Sequence, residues 1–264
     1  MSEQKNITPV MEVESVTLLS GTDKNGAPEG IESVTIAAGD SLALVGPTGS
    51  GKSEFLSDIE QLADRDTVTG RRLLINGKDP DPELGAMGLV AQLSQKTSFV
   101  MEGSVQSFLE LHAQCRGRDI NEAVEKTLDA ANQLCGEPIK AGDSLQVLSG
   151  GQSRALMIAD IAYISDAPVV LIDEIENAGI EKLKALEVLG ASNKPILIAT
   201  HDPVLMLMTR RRLVMGKGGM RRLVETTEQE KACLERLSLM DNLMTKVRGN
   251  LRMGRELNLK ELEL

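Results

Sequence analysis

Residues 46–53 read Gly46-Pro47-Thr48-Gly49-Ser50-Gly51-Lys52-Ser53, an unbroken match to the phosphate-binding loop pattern G-x-x-x-x-G-K-[ST]. The flanks suit it. The run 41–45 (SLALV) is a short apolar strand candidate, and a helix-compatible stretch follows Ser53. Glycines at 46, 49 and 51 let the backbone curl so that its amides point inward at a phosphate chain. The helix starting near Gly51 brings the positive end of its dipole to the same spot. Lys52 would neutralise the β- and γ-phosphates, and the Ser53 hydroxyl would ligate Mg²⁺. With strand, loop and Lys-Ser all in order, a glycine-rich turn that binds nothing is the weaker reading. The chain is expected to bind a nucleoside triphosphate.

Two apolar runs, 168–173 (PVVLID) and 195–201 (PILIATH), are polar on neither face, which suits buried strands of a parallel sheet. Ligands of open α/β sheets sit at the carboxyl ends of strands. Asp173 and His201, closing these runs, are therefore expected beside the phosphate loop. Upstream, β-rich runs at 11–19 and 33–36 flank a Gly/Asn/Asp/Pro loop from Gly21 to Gly30, which predicts an antiparallel β layer. Residues 103–146 change to helical spacing, with helices over 105–112 and 120–128 and Gly136 closing the second. The stretch 212–224 reads as a strand, glycine turn and strand.

Hydrophobic residues make up 41% of the 264, enough for a substantial core, but one Tyr, three Phe and no Trp leave it to aliphatic residues and Met. A net charge of −10 argues against broad nucleic-acid or anionic-membrane binding. The basic clusters Arg210–Arg212 and Arg221–Arg222 read as solvated strand edges. Three cysteines, far apart in sequence, carry no metal or disulfide signal and fit a reducing cytoplasm. The N-terminal residues lack the apolar core of a signal peptide, and no run is long enough to span a membrane. The expected location is cytoplasmic, either free or peripheral at the inner face of the cell membrane.

Leu148-Ser149-Gly150-Gly151-Gln152 precedes a helical stretch and then a strand ending Leu171-Ile172-Asp173-Glu174. At this point the chain resembles the ATP-binding cassette (ABC) ATPase family, over about residues 10–222. Gly46–Ser53 looks like its Walker A loop, 148–152 its signature, 171–173 its Walker B strand, Glu174 its catalytic glutamate and His201 its switch histidine. Gln92, after 89–91 (LVA), stands in the place of the Q-loop glutamine, with Gln95 three residues later as an alternative.

The resemblance implies an α/β fold of the P-loop NTPase type: a mixed, mainly parallel core sheet, an N-terminal antiparallel β layer and an inserted helical subdomain at about 103–147. The cassette would occupy 1–224. It also implies a mechanism in which two cassettes, expected as an ATP-dependent homodimer, stack head to tail. Ser149, Gly150, Gly151 and Gln152 would then face ATP bound by the other subunit's Walker A loop. Asp173 and Gln92, with Ser53, would hold Mg²⁺, Gln92 also linking the site to the helical insertion. Glu174 would polarise the attacking water and His201 would contact the γ-phosphate.

Some positions depart from the family pattern. Residues 11–40 contain no aromatic residue or histidine to stack on adenine, so Leu18 or Leu19 would pack there at a loss of about 1 kcal/mol. The D-loop aspartate is replaced by Ile180. The arginine expected behind the signature is Ala155, with Arg154 one place earlier, a turn of about 100° on a helix.

Beyond the cassette, residues 225–264 open with a capping box at 227–230 (TEQE), followed by Cys233, Leu237, Met240, Met244, Val247 and Leu251 as an apolar stripe closed near Gly254. A helix packed back on its own cassette is favoured over a dimer or partner helix. The leading function is the ATP-hydrolysing subunit that drives a separately encoded membrane permease. The alternatives are a soluble ABC ATPase acting as an ATP-gated switch in assembly or repair, and a non-hydrolysing binding module, against which Glu174 and His201 argue.

Overall fold

In the computed structural model the described residues are 12–81, 88–94, 98–173 and 180–258. Within them lie two sheets. The smaller is antiparallel: β1 (Ser15–Leu19) runs between β2 (Ser33–Ala37) and β4 (Arg72–Ile75). Its strands alternate as a half-buried sheet should. Val16, Leu18, Val34 and Ile36 point into the core, while Thr17 and Thr35 pair their hydroxyls at 2.9 Å on the outer face. Sequence patterning missed β4, whose RLLI run is short.

The larger sheet has the order β5 (Val90–Leu93), β6 (Val169–Asp173), β7 (Ile196–Ala199), β3 (Ser41–Val45), β8 (Arg211–Gly216) and β9 (Gly219–Glu225). All neighbours pair in parallel except β9, which folds back on β8 through the expected glycine turn. Why β6 and β7 lack alternation is now plain. Val169, Leu171, Leu197 and Ala199 face one core, shared with the antiparallel sheet and with Phe55, Leu56 and Ile59 of α1 (Lys52–Glu60). Val170, Ile172, Ile196 and Ile198 face a second core on the other side of the sheet.

The helices α2 (Val105–Cys115) and α3 (Ile120–Leu134) start at caps supplied by Ser104 and Asp119, whose side chains accept from the third-residue amides. They pack on α4 (Gly150–Tyr163), which serves two cores. Leu156 and Ala159 join the helical cluster, whereas Ala155, Ile158 and Ile161 join the sheet-side cluster. Completing the described helices are α5 (Lys182–Gly190), α6 (Pro203–Met208) and α7 (Glu228–Arg252). No helix among the described residues is long and apolar enough to cross a membrane.

Some surface readings change. Three arginines of the two clusters form ion pairs, Arg211 with Asp40 at 2.6 Å, Arg212 with Glu230 at 2.7 Å and Arg221 with Asp23 at 2.7 Å, while Arg210 and Arg222 are exposed. His112 pairs its Nδ1 with Asp160 at 2.7 Å and ties α2 to α4. On α7 the capping box forms as expected, Thr227 and Glu230 bonding reciprocally. The apolar stripe, however, is only partly covered, with Leu237 and Val247 half-buried. Leu234, Leu237, Ser238 and Asp241 are half-buried, while Met240, Met244 and Leu251 remain about half exposed. Length explains it: α6, against which α7 packs, has six residues and spans about 9 Å, too little to cover a 25-residue helix.

Candidate nucleotide site

The strand register builds the site. Leu44 of β3, Ala199 of β7 and Asp173 of β6 stand level across the sheet. The carboxyl ends of three adjacent strands therefore open together onto Gly46, onto Thr200 and His201, and onto Asp173 itself. The phosphate loop follows β3 directly and its last turn becomes α1, with Gly51 as the N-cap residue.

Close packing makes Gly46 and Gly51 obligatory. Gly51 has φ +100, and a Cβ there would lie 2.8 Å from the Gly218 Cα. A Cβ on Gly46 would meet the Met215 carbonyl oxygen at 2.5 Å. The β8–β9 turn thus lies against the loop, and the Gly218 N–H donates to the Ser50 carbonyl at 2.9 Å. The Ser50 hydroxyl is buried and has no partner among the described residues. A buried donor without a protein acceptor fits a loop that receives phosphate oxygens.

Lys52 is buried, and its Nζ folds back over the loop. It donates to the Gly46 carbonyl at 2.9 Å and lies 3.1 Å from His201 Nε2. Because an ammonium has only donors, Nε2 must accept, which puts the proton of a neutral His201 on Nδ1. Ser53, next along, is exposed at the first turn of α1. Asp173 is half-buried at the tip of β6. Glu174, expected as the water-polarising carboxylate, lies outside the described residues, as does Gln95.

Gln92 is not gathered with this group. It pairs level with Leu171, two residues short of Asp173, which sets it about 7 Å back from the strand tip. It lines a cleft with Phe99, Met101, Phe108 and Met157, between edge strand β5 and the helices.

The signature stands at the start of α4. The Ser149 hydroxyl accepts from the Gln152 amide at 3.2 Å, and Gln152 Oε1 accepts the Ser149 N–H at 2.9 Å. This capping box leaves Ser149 and Gly150 exposed at a positive helix end. Ala155 is fully buried, and the Arg154 guanidinium lies 3.6 Å from where a Gly150 Cβ would stand. Ile180 is tied to Cys135 as an isolated bridge at the end of α3.

Two features escaped sequence reasoning. Lys24, in the 21–30 loop, donates from Nζ to the Gly49 carbonyl at 2.8 Å and from its backbone to the Lys217 carbonyl at 2.9 Å. That loop is anchored by Asp23, whose carboxyl lies below its ordinary range because Arg221 and the amides of Asn25 and Ala27 bond to it. Beneath the phosphate loop, fully buried Arg71 pairs with Glu29 at 2.6 Å and Asp58 at 2.9 Å, and donates to the Gly218 carbonyl at 3.0 Å. A buried guanidinium without such partners would cost several kcal/mol, so the three side chains stand or fall together. No local pattern marks them, since the partners are far apart in sequence.

The adenine expectation also changes. Leu18 is fully buried in the core and cannot stack on a base, whereas Leu19 is only half-buried.

Residues 31–177 match the family model described as ABC transporter. The chain is 48% identical to an uncharacterised ABC transporter ATP-binding protein of Methanocaldococcus jannaschii, over 96% of this chain and 98% of that protein. It is 28% identical to the lipoprotein-releasing system ATP-binding protein LolD of Oleidesulfovibrio alaskensis, over 69% of this chain and 82% of LolD. Its fold resembles that of cbiO1 from Clostridium perfringens, part of the ABC transporter complex cbiONQ, with a TM-score of 0.61 at 20% identity over 89% of this chain and all of that one. The chain belongs to the ABC transporter family, as an ATP-binding subunit with ATPase activity.

Proposed function

We propose that this chain hydrolyses Mg·ATP as one half of a head-to-tail cassette dimer and so energises a separate membrane permease from the cytoplasmic face. In this reading residues 1–224 form the cassette, with 103–147 as its helical part, and 225–264 an added extension. The loop amides of Gly46–Ser53 and the Lys52 ammonium bind the β- and γ-phosphates. A magnesium ion held through Ser53 and Asp173 would neutralise charge on those phosphates. Glu174 polarises the attacking water, and His201 contacts the γ-phosphate, its Nε2 facing the phosphate with a proton only in the Nε2-protonated tautomer or the imidazolium that replaces the present Lys52 contact. Ser149, Gly150 and Gly151 supply donors to the ATP of the facing cassette. Gln92 serves as the link toward the helices and the ion, by a movement of about 7 Å or through its neighbour Gln95.

One observation carries the reading: the Lys52 Nζ and His201 Nε2 atoms lie 3.1 Å apart at the mouth of the phosphate loop. His201→Ala is expected to bind Mg·ATP normally and to lose most turnover. Normal turnover in that variant overturns the site. Co-purification of an integral membrane subunit tests the transport half. The second reading, a soluble ATP-gated switch, is favoured by the apolar side chains of α7 left exposed, and soluble partners in the same preparation would select it.

A further inference from the structure

Lys182, the first residue of α5, places its Nζ 2.5 Å from Asp202 Oδ2 and 3.0 Å from Asp241 Oδ2. These three residues come from three segments: Asp202 directly follows His201 and caps α6, while Asp241 belongs to α7. A cation in the first turn of a helix works against the helix dipole, so Lys182 is not there for the sake of α5. Its side chain is mostly buried, as is that of Asp202. Burial works against the ammonium, but the hydrogen bonds to the two carboxylates outweigh it and hold the Lys182 pKa above its usual value.

Asp202 divides its oxygens. Oδ1 accepts from the amides of Val204 and Leu205, and Oδ2 takes Lys182. Its own N–H donates to the Thr200 hydroxyl at 3.0 Å, so the backbone on both sides of His201 is pinned. A continuous set of polar contacts then runs from Asp241 on α7 through Lys182 and Asp202 to the His201 backbone, and from the His201 ring to Lys52.

We infer that Lys182 and Asp241 are positioning residues for the hydrolytic step, and that through them the C-terminal helix α7 sets the orientation of His201. The inference rests on the proposed role of His201 at the γ-phosphate. An ion triad that merely fastened α7 to the surface would change stability when broken and leave the folded enzyme's turnover alone. A positioning triad lowers kcat and spares the ATP affinity, because Lys52 and the loop amides are untouched.

The test is steady-state ATPase kinetics, Mg·ATP titration and thermal melting on full-length Lys182→Met, Asp241→Asn, their double variant, Lys182→Arg and His201→Ala. The expected result is a kcat about threefold or more lower for Lys182→Met and Asp241→Asn, with unchanged nucleotide Kd. The double variant should be no slower than Lys182→Met, and Lys182→Arg should restore most of the rate. Asp241 is the more exposed carboxylate, so its variant reads the coupling even where Lys182→Met fails to fold. Unchanged kcat in Asp241→Asn, or a lower melting point as its only effect, overturns the inference. If His201→Ala is inactive while the triad variants are not, the inference alone falls. If His201→Ala turns over normally, the site reading falls and takes the inference with it.

Discussion

Lys52 and His201, 149 positions apart in sequence, meet with Nζ 3.1 Å from Nε2. The contact joins the turn after β3 to the turn after β7, and it exists because those two strands are direct neighbours paired in register. The lysine ammonium donates to the Gly46 carbonyl and to an imidazole lone pair. Arriving phosphate oxygens would replace those acceptors. Lys52→Ala is therefore expected to lose measurable Mg·ATP binding while keeping the fold, since the hydrogen bonds it gives up are to the loop carbonyl of Gly46 and to His201, both at the phosphate site. Titration with a labelled nucleotide decides it, and wild-type affinity would remove Lys52 from the site.

Hydrolysis is expected to depend on Glu174, one residue beyond the tip of β6. Glu174→Gln keeps size and hydrogen-bonding capacity but cannot take a proton, so turnover should fall by about 100-fold or more. Binding should survive, and ATP should trap a dimer visible by size-exclusion chromatography. A variant that hydrolyses ATP at the wild-type rate would exclude Glu174 as the base.

Gly51 and Gly49 separate two reasons for glycine in one loop. Both have positive φ, but only Gly51 is also packed, with the Gly218 Cα where its Cβ would go. Gly51→Ala must push the β8–β9 turn off the loop and break the Gly218–Ser50 bond, costing about 1–3 kcal/mol on top of lost ATP affinity. Gly49→Ala has open space and carries conformational strain alone, about 1 kcal/mol. Urea denaturation of the pair measures the difference, and equal losses would mean the turn does not support the loop.

Much of this architecture was legible because its signals are local. The loop motif, the apolar runs of β6 and β7 and the cap at Thr227 each specify their own geometry within a few residues. What could not be read depends on who meets whom across the fold. Arg71 looks like any strand arginine until Glu29, Asp58 and Gly218 close around it. Leu18 was a plausible base platform until the alternation of β1 turned it inward. The α7 stripe has sound helical periodicity, yet a short α6 covers only part of the helix and leaves Met240, Met244 and Leu251 exposed. Gln92 matched its motif by order, but strand register, invisible in one sequence, sets it back from the tip.

Acid should loosen the loop that carries Lys24 through a single carboxylate. Asp23 has its pKa held below the usual 3.8 by Arg221 and by two loop amides. A depressed carboxylate contributes stability that is present above pH 3.8 and is lost as pH falls through its lower folded value. The melting-temperature gap between wild type and Asp23→Asn should therefore be widest near neutrality and close as pH falls below 3.8. Glu230, held below 4.5 by the Thr227 amide and Arg212, predicts the same sign for the start of α7. A gap that widens in acid would contradict both the sign and the pairing.

Whether Ser149, Gly150 and Gly151 act on another subunit's ATP can be tested without disturbing their own helix. Ser149 is a poor target, because its hydroxyl caps α4 and its loss alone would cost about 1 kcal/mol. Gly150 is better. A side chain there meets only the end of Arg154, at 3.6 Å, so the monomer has room for it. Gly150→Glu sets a carboxylate where a facing γ-phosphate would approach, adding like-charge repulsion to lost closeness. The variant should melt like wild type, bind Mg·ATP like wild type and have almost no ATPase activity. Mixed with excess Glu174→Gln protein, which offers an intact signature, it should hydrolyse ATP again in its own loop. Wild-type specific activity should rise with protein concentration, since a lone cassette has no signature facing its nucleotide. Full activity under conditions where light scattering finds only monomer would mean that one chain suffices for catalysis.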